Sequence, residues 1–181
     1  MKLNNPLTLL LATVCLLVGH TVLAEEFLSQ QAFLEQAFEH QPATSQTLWL
    51  KPEQKQAIEA ILAHPYKGLR VRYWQSADQA NHRSAWILEE IGKEQPITVG
   101  IVIDELQIRS VSILAFRESR GWEVKYPFFT DQFVGQQLNN DQQLSQSVDG
   151  ITGATLSVRA VTAVARVALY LAGQRQTASI H

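Results

Sequence analysis

Cysteine is almost absent: Cys15 is the only one in 181 residues, and it falls in the apolar stretch near the start of the chain. If that stretch is removed, disulfides, cysteine-bound zinc, iron–sulfur clusters, cysteine-attached haem and thiol catalysis are all excluded. Redox chemistry would then have to come from a bound cofactor. An excess of charge of one sign is also missing: 15 Lys and Arg stand against 17 Asp and Glu, a net charge of -2. Such a chain has no basic footprint for nucleic acid. His40, His64, His82 and His181 are scattered without ligand spacing, so no metal site is expected. No internal repeat and no low-complexity tract interrupts the chain, whose 46% apolar content suits a globular protein with one sizeable core.

What the chain does have begins with its leader. Lys2 precedes the apolar run Leu9 to Val18, which passes through Gly19 and His20 to the small-residue exit Val22-Leu23-Ala24. This is the layout of a secretory signal peptide over residues 1–24, cut after Ala24. The alternative is an uncleaved membrane anchor, since Pro6 to Ala24 approaches the roughly 20 residues of a membrane span. The expected location is therefore the periplasm, either free or anchored to the inner membrane.

Three further segments follow, and together they define an α+β protein. Residues 25–66 read as an N-terminal helical segment. A helix capped by Ser29 carries Phe33, Leu34, Ala37 and Phe38 on one face, His40 to Gln46 is a connecting loop, and a second helix starts near Pro52. Over residues 67–173 the period changes to two. Leu69 to Trp74, Ser84 to Ile91, Ile97 to Ile103 and Gln107 to Phe116 predict an antiparallel meander, with Trp122 to Tyr126 as a further short strand and Thr130 capping a short helix. A long helix from Leu156 to Leu171 packs across the sheet, Gly173 stops it, and residues 174–181 form a loose tail.

The chemistry concentrates where that helix begins, at Asp149-Gly150-Ile151-Thr152-Gly153-Ala154-Thr155. Gly150 and Gly153 give backbone freedom, Ala154 adds little bulk, and Thr155 places a hydroxyl at the helix start. The first amides of a helix lack internal partners and the peptide dipoles leave positive charge there, so this turn is a seat for a phosphate. Asp149 either holds the turn by accepting backbone hydrogen bonds or belongs to a simple Asp-Gly turn. Thr152 either donates to the phosphate or caps the helix.

This motif fits the Asp-x-x-(Ser/Thr)-Gly-Ala-(Thr/Ser) signature, and with Glu118-Ser119-Arg120-Gly121 and Gln132-Phe133-Val134-Gly135 the chain resembles the FMN-binding domain family. The resemblance covers about Ile97 to Leu171. It implies that a flavin transferase, using FAD and magnesium, joins FMN through its phosphate to Thr155 as a phosphoester, with Asp149 as a residue that could help the transferase place its metal. By the same resemblance Thr152, Gly153, Ala154, Asp149, Gly150 and Glu118 surround the cofactor, although relatives carry Thr-Pro where this chain has Ser119-Arg120. The expected role is electron transfer between redox partner proteins, such as cytochromes or quinone-linked membrane complexes. A catalytic site of its own is not expected. The alternative is a module that binds flavin non-covalently or regulates a membrane redox system. Trp122, Tyr126, Phe128 and Phe129 either face the flavin ring or belong to the core. Arg117, Arg120 and Lys125 either place positive charge near the ring or form a solvated face.

Overall fold

The computed structural model describes residues 25–77 and 82–178. The leader, residues 1–24, lies outside the described residues. One antiparallel sheet organises the rest. Its strands are β1 (Glu25–Glu26), β2 (Ala43–Trp49), β3 (Arg70–Ser76), β4 (Ser84–Ile91), β5 (Pro96–Asp104) and β6 (Gln107–Phe116), in the order β1-β6-β5-β4-β3-β2. The strands β3 to β6 are the meander read from the period-two pattern. The long β5 and β6 supply much of the core: Ile97, Val99, Ile101, Ile103, Ile108, Val111 and Ile113 are all buried in one cluster.

Helices cover both faces, giving an α+β architecture. On one face lie α2 (Pro52–Leu62) and α4 (Thr155–Ala178), and between β6 and α4 the chain forms two 3₁₀ turns, Trp122–Lys125 and Asp131–Phe133, around the short α3 (Pro127–Thr130). The α4 stripe Ala160, Val161, Val164, Ala165, Ala168 and Leu171 is almost fully buried, and its alanines let the helix approach the sheet closely. By length and hydropathy α4 is apolar enough to cross a membrane, but its apolar side is spent on this core. On the other face α1 (Gln30–Ala37), capped by the Ser29 hydroxyl, inserts Phe33 among Trp74, Ala85, Val102 and Leu114. Gly100 makes room for that ring: a Cβ there would lie 2.7 Å from it.

Three stretches depart from the period-based reading. Within the expected loop His40 to Gln46, residues from Ala43 onward form β2; Thr44-Ser45-Gln46-Thr47 lacks an apolar alternation because this edge strand is largely exposed. Trp122 to Lys125 is a 3₁₀ turn rather than a strand, since Gly121, at φ +88°, turns the chain just before it. The long helix does not stop at Gly173 but runs to Ala178. Tertiary contacts override the glycine there: Gln54 donates to Gln174 at 3.3 Å, and Arg175 donates to Gln75 at 3.3 Å and to the His82 carbonyl at 2.8 Å.

The Phe33–Gly100 fit generates a test. Gly100→Ala is expected to overpack the α1 face and cost about 1–3 kcal/mol in urea unfolding. Adding Phe33→Leu should recover part of that loss, because neighbours that share one cavity are non-additive.

Candidate functional site

The start of α4 is built from the turn residues as the motif suggested, with one shift of role. Ala154 is the capping residue: its amide donates to the Ile151 carbonyl at 2.9 Å and its carbonyl accepts from Val158 at 2.9 Å. Thr155 is therefore the first helical residue, and the amides of Thr155, Leu156 and Ser157 are left without intrahelical acceptors. Gly153 adopts φ +84°, and a side chain at Gly150 or Gly153 would meet nothing within 4 Å, so the approach to the helix end is open. Thr152 and Thr155 are both exposed, and among the described residues neither hydroxyl makes a hydrogen bond. Ala154, in contrast, is buried.

The preceding loop is pinned by glutamines rather than by Asp149. The Asp149 amide donates to Gln132 Oε1 at 2.7 Å, while Gln132 Nε2 donates to the Phe128 carbonyl at 3.2 Å. Buried Gln136 accepts from the Gln146 amide at 2.9 Å, and Arg166 on α4 donates to the Gln142 carbonyl at 2.7 Å. Among the described residues the Asp149 carboxylate accepts no backbone hydrogen bond, so it does not hold the turn.

Opposite the helix end stands the loop after β6. A single oxygen of Glu118 accepts from the amides of Lys93, Glu94 and Gln95 at 2.5, 2.6 and 2.9 Å, which ties this loop to the β4–β5 turn. Burial alone would raise the Glu118 pKa and is the largest single influence. The three amides and the nearby Lys93 charge outweigh it and hold the carboxyl below its ordinary value. Gly92 permits the approach, since a Cβ there would lie 3.0 Å from Glu118 Oε1. Gly121 closes the other side: its positive φ and a Cβ position only 2.4 Å from Ser157 Oγ make glycine necessary for the loop to rest on α4.

Between loop and helix opens a cavity of about 630 Å³ lined by Lys93, Glu118, Ser119, Arg120 and residues 153–157. It brings together Glu118, Gly153, Ala154 and Thr155. Asp149, Gly150 and Thr152 lie outside its lining, on the exposed turn that leads to it. Lys93 and Ser157 were not singled out by sequence; the signal for Ser157 was its place in the first turn of the helix, and for Lys93 its place in a glycine-bearing turn. The three candidate cations separate. Arg120 lines the cavity, Arg117 donates to the Pro96 carbonyl at 3.2 Å and to Thr98 Oγ1 at 2.9 Å, and Lys125 sits 3.9 Å from the Phe27 ring centroid. The aromatics separate too: Phe129 is core, while Trp122, Tyr126 and Phe128 are exposed.

A helix N-terminus with open amides, a flanking glycine turn, an accessible hydroxyl and a cationic wall define a pocket for a phosphate-bearing ligand. The fold sets this motif at the start of a helix that crosses an antiparallel sheet. Residues 92–170 match the FMN-binding domain family, and this part of the chain is an FMN-binding domain. No curated protein matches the chain. The pocket fits FMN in size and in the chemistry of its lining, and the domain is a flavin-binding one suited to electron transfer.

The Glu118 contact should be visible in acid. A carboxyl whose folded pKa is depressed adds stability above its unfolded pKa, and that contribution is lost as pH falls through the folded value. Wild type should therefore exceed Glu118→Gln in unfolding free energy near neutrality. Titrating below the ordinary carboxylate pKa should make the two curves converge.

Proposed function

We propose that the chain is an exported electron-transfer flavoprotein in which Thr155 carries FMN as a phosphoester. The observation that carries this reading is the Thr155 side chain itself: exposed, free of hydrogen bonds among the described residues, first in α4, and part of the cavity wall. A threonine hydroxyl is a weak nucleophile and among the described residues no base hydrogen-bonds to it, so activation falls to a flavin transferase using FAD and magnesium. An acceptor for an outside enzyme has to be reachable, and the space around Gly150 and Gly153 leaves it so. The diester would keep one negative charge beside the helix N-terminus, where the free amides of residues 155–157 favour it. The tether suits the periplasm, where a dissociated flavin is lost by diffusion, and the signal-peptide pattern of residues 1–24 supports export.

FMN supplies one- and two-electron chemistry when bound. The chain's contribution is to hold the phosphate end against α4 and to set charge near the rest of the group through Arg120 and Lys93. Glu118 acts here by keeping the Lys93 turn and the Arg120 loop together. The role we propose is exchange of electrons with redox partner proteins, for which the exposed cationic wall of Arg120 and Lys93 leaves the group accessible.

Protein matured beside its transferase should gain the mass of one FMN less one water, and Thr155→Ala should abolish the gain. Unmodified wild type under those conditions would overturn the tether, and yellow protein that releases its flavin on denaturation would establish non-covalent binding instead. In the loaded protein, Arg120→Gln should make the reduction potential more negative by about 30 mV, a tenfold change for a two-electron couple. Arg117→Gln, whose guanidinium is engaged on the sheet, should leave the potential where it was.

A further inference from the structure

The two edges of the sheet are finished differently. At the β6 side the short β1 pairs with Ala115 and Phe116, Phe27 and Leu28 donate to the Leu114 carbonyl, and Ile108 exchanges hydrogen bonds with Gly135 and Gln136. At the other side β2 has no strand paired with its outer edge among the described residues. It pairs with β3 without a break from Ala43↔Ser76 to Trp49↔Arg70. It contains no charged residue, no proline and no bulge, the features by which edge strands avoid further pairing.

The direction of its free groups follows from the ladder. The Leu50 amide donates to Leu69 at 3.0 Å and the Pro42 carbonyl accepts from Ala77 at 3.0 Å, so even-numbered residues of this strand bond inward. Antiparallel ladders alternate, so Ala43, Ser45, Thr47 and Trp49 turn both N–H and C=O away from the sheet. All of them are exposed. The two most exposed large apolar residues among those described, Leu69 at 67% and Trp49 at 64%, stand at the same edge.

We propose that β2 pairs with β2 of a second copy of this chain, antiparallel about a two-fold axis at Gln46, joining the two sheets into one. This register sets Ala43 opposite the partner's Trp49 and Ser45 opposite the partner's Thr47, so that every outward amide and carbonyl of the strand finds a partner. It places a small residue against the large indole and a hydroxyl against a hydroxyl, with no like charges facing each other within the strand. The strand is thus complementary to itself, as an isologous interface requires. Gln46 faces its own copy in a non-hydrogen-bonded pair, where Cα atoms approach to about 4.5 Å.

The protein isolated from cells should show a light-scattering mass of twice the 20.3 kDa chain mass at tens of micromolar, less the leader in each copy if it is cut. Thr47→Pro removes only an outward donor and should give monomer, and Thr47→Lys, which leaves the backbone untouched, should do the same. In a Cys15→Ser background, oxidised Gln46→Cys should form a disulfide-linked dimer, because its spacing fits a disulfide. Thr44→Cys should not, since each copy then faces the partner's Leu48. A monomeric wild type, a dimer insensitive to both Thr47 variants, or cross-linking through position 44 in place of 46 would each overturn the proposal.

Discussion

One carboxylate oxygen holds the two walls of the pocket in register. Glu118, two residues beyond the end of β6, accepts three amides from the β4–β5 turn, so two connections that are separate in sequence become one surface. The β6 loop also rests on α4 where Gly121 meets Ser157. An ionised carboxylate suits the task because it presents several acceptor sites without donating, and hydrogen bonds to a charged group are the stronger kind. The close approach costs side chains at two positions, and both are glycine: Gly92 under the carboxylate and Gly121 against the helix. In this architecture the residue expected to touch the ligand acts first as the fastener of the residues around it.

The parts of the fold legible in the sequence were those with a repeating apolar signal. The α4 stripe and the β3 to β6 alternation bury their residues on one side, and burial is what periodicity reports. β2 escaped because an edge strand with little burial has no reason to alternate, and Thr44-Ser45-Gln46-Thr47 reads as a loop. The helix end escaped for the opposite reason. Gly173 is a fair stop signal locally, but Arg175, reaching Gln75, the His82 carbonyl and the Tyr73 ring, holds another turn of helix against the sheet. Local propensity is a weak prior wherever such contacts exist.

The site shows the same division. The motif from Asp149 to Thr155 was readable because turn glycines and a helix start are local features, and the structure places Thr155 first in the helix as that pattern implies. Residue type could not sort Arg117, Arg120 and Lys125, which lie within a few positions of one another. Their partners do: a carbonyl and a hydroxyl on the sheet for Arg117, aromatic rings for Lys125, and the cavity for Arg120. Nor could sequence foresee that Gln132, rather than Asp149, pins the turn, because that bond joins residues from different turns of the chain. Asp149 is then a carboxylate on an accessible turn that accepts no hydrogen bond among the described residues.

Rigidity is distributed unevenly around the proposed cofactor, and the distribution is informative. The phosphate end would meet a helix terminus fixed by the 154–158 hydrogen bonds, the buried Ala154 and the packing of Gly121 on Ser157. The opposite wall is made of Arg120 and Lys93, both exposed, the latter paired with the equally exposed Glu94. A group fastened covalently at one end needs little enclosure at the other, because the tether already removes the entropy that a pocket would otherwise have to offset. Openness at the redox-active end shortens the path to a partner's cofactor, whereas an enzyme acting on a small molecule gains from excluding water. The same asymmetry is the reason a phosphate anchor would suit this fold: the best-built feature of the domain is the start of α4, and the proposed phosphoester would fasten the cofactor there while leaving its electronically active part unencumbered.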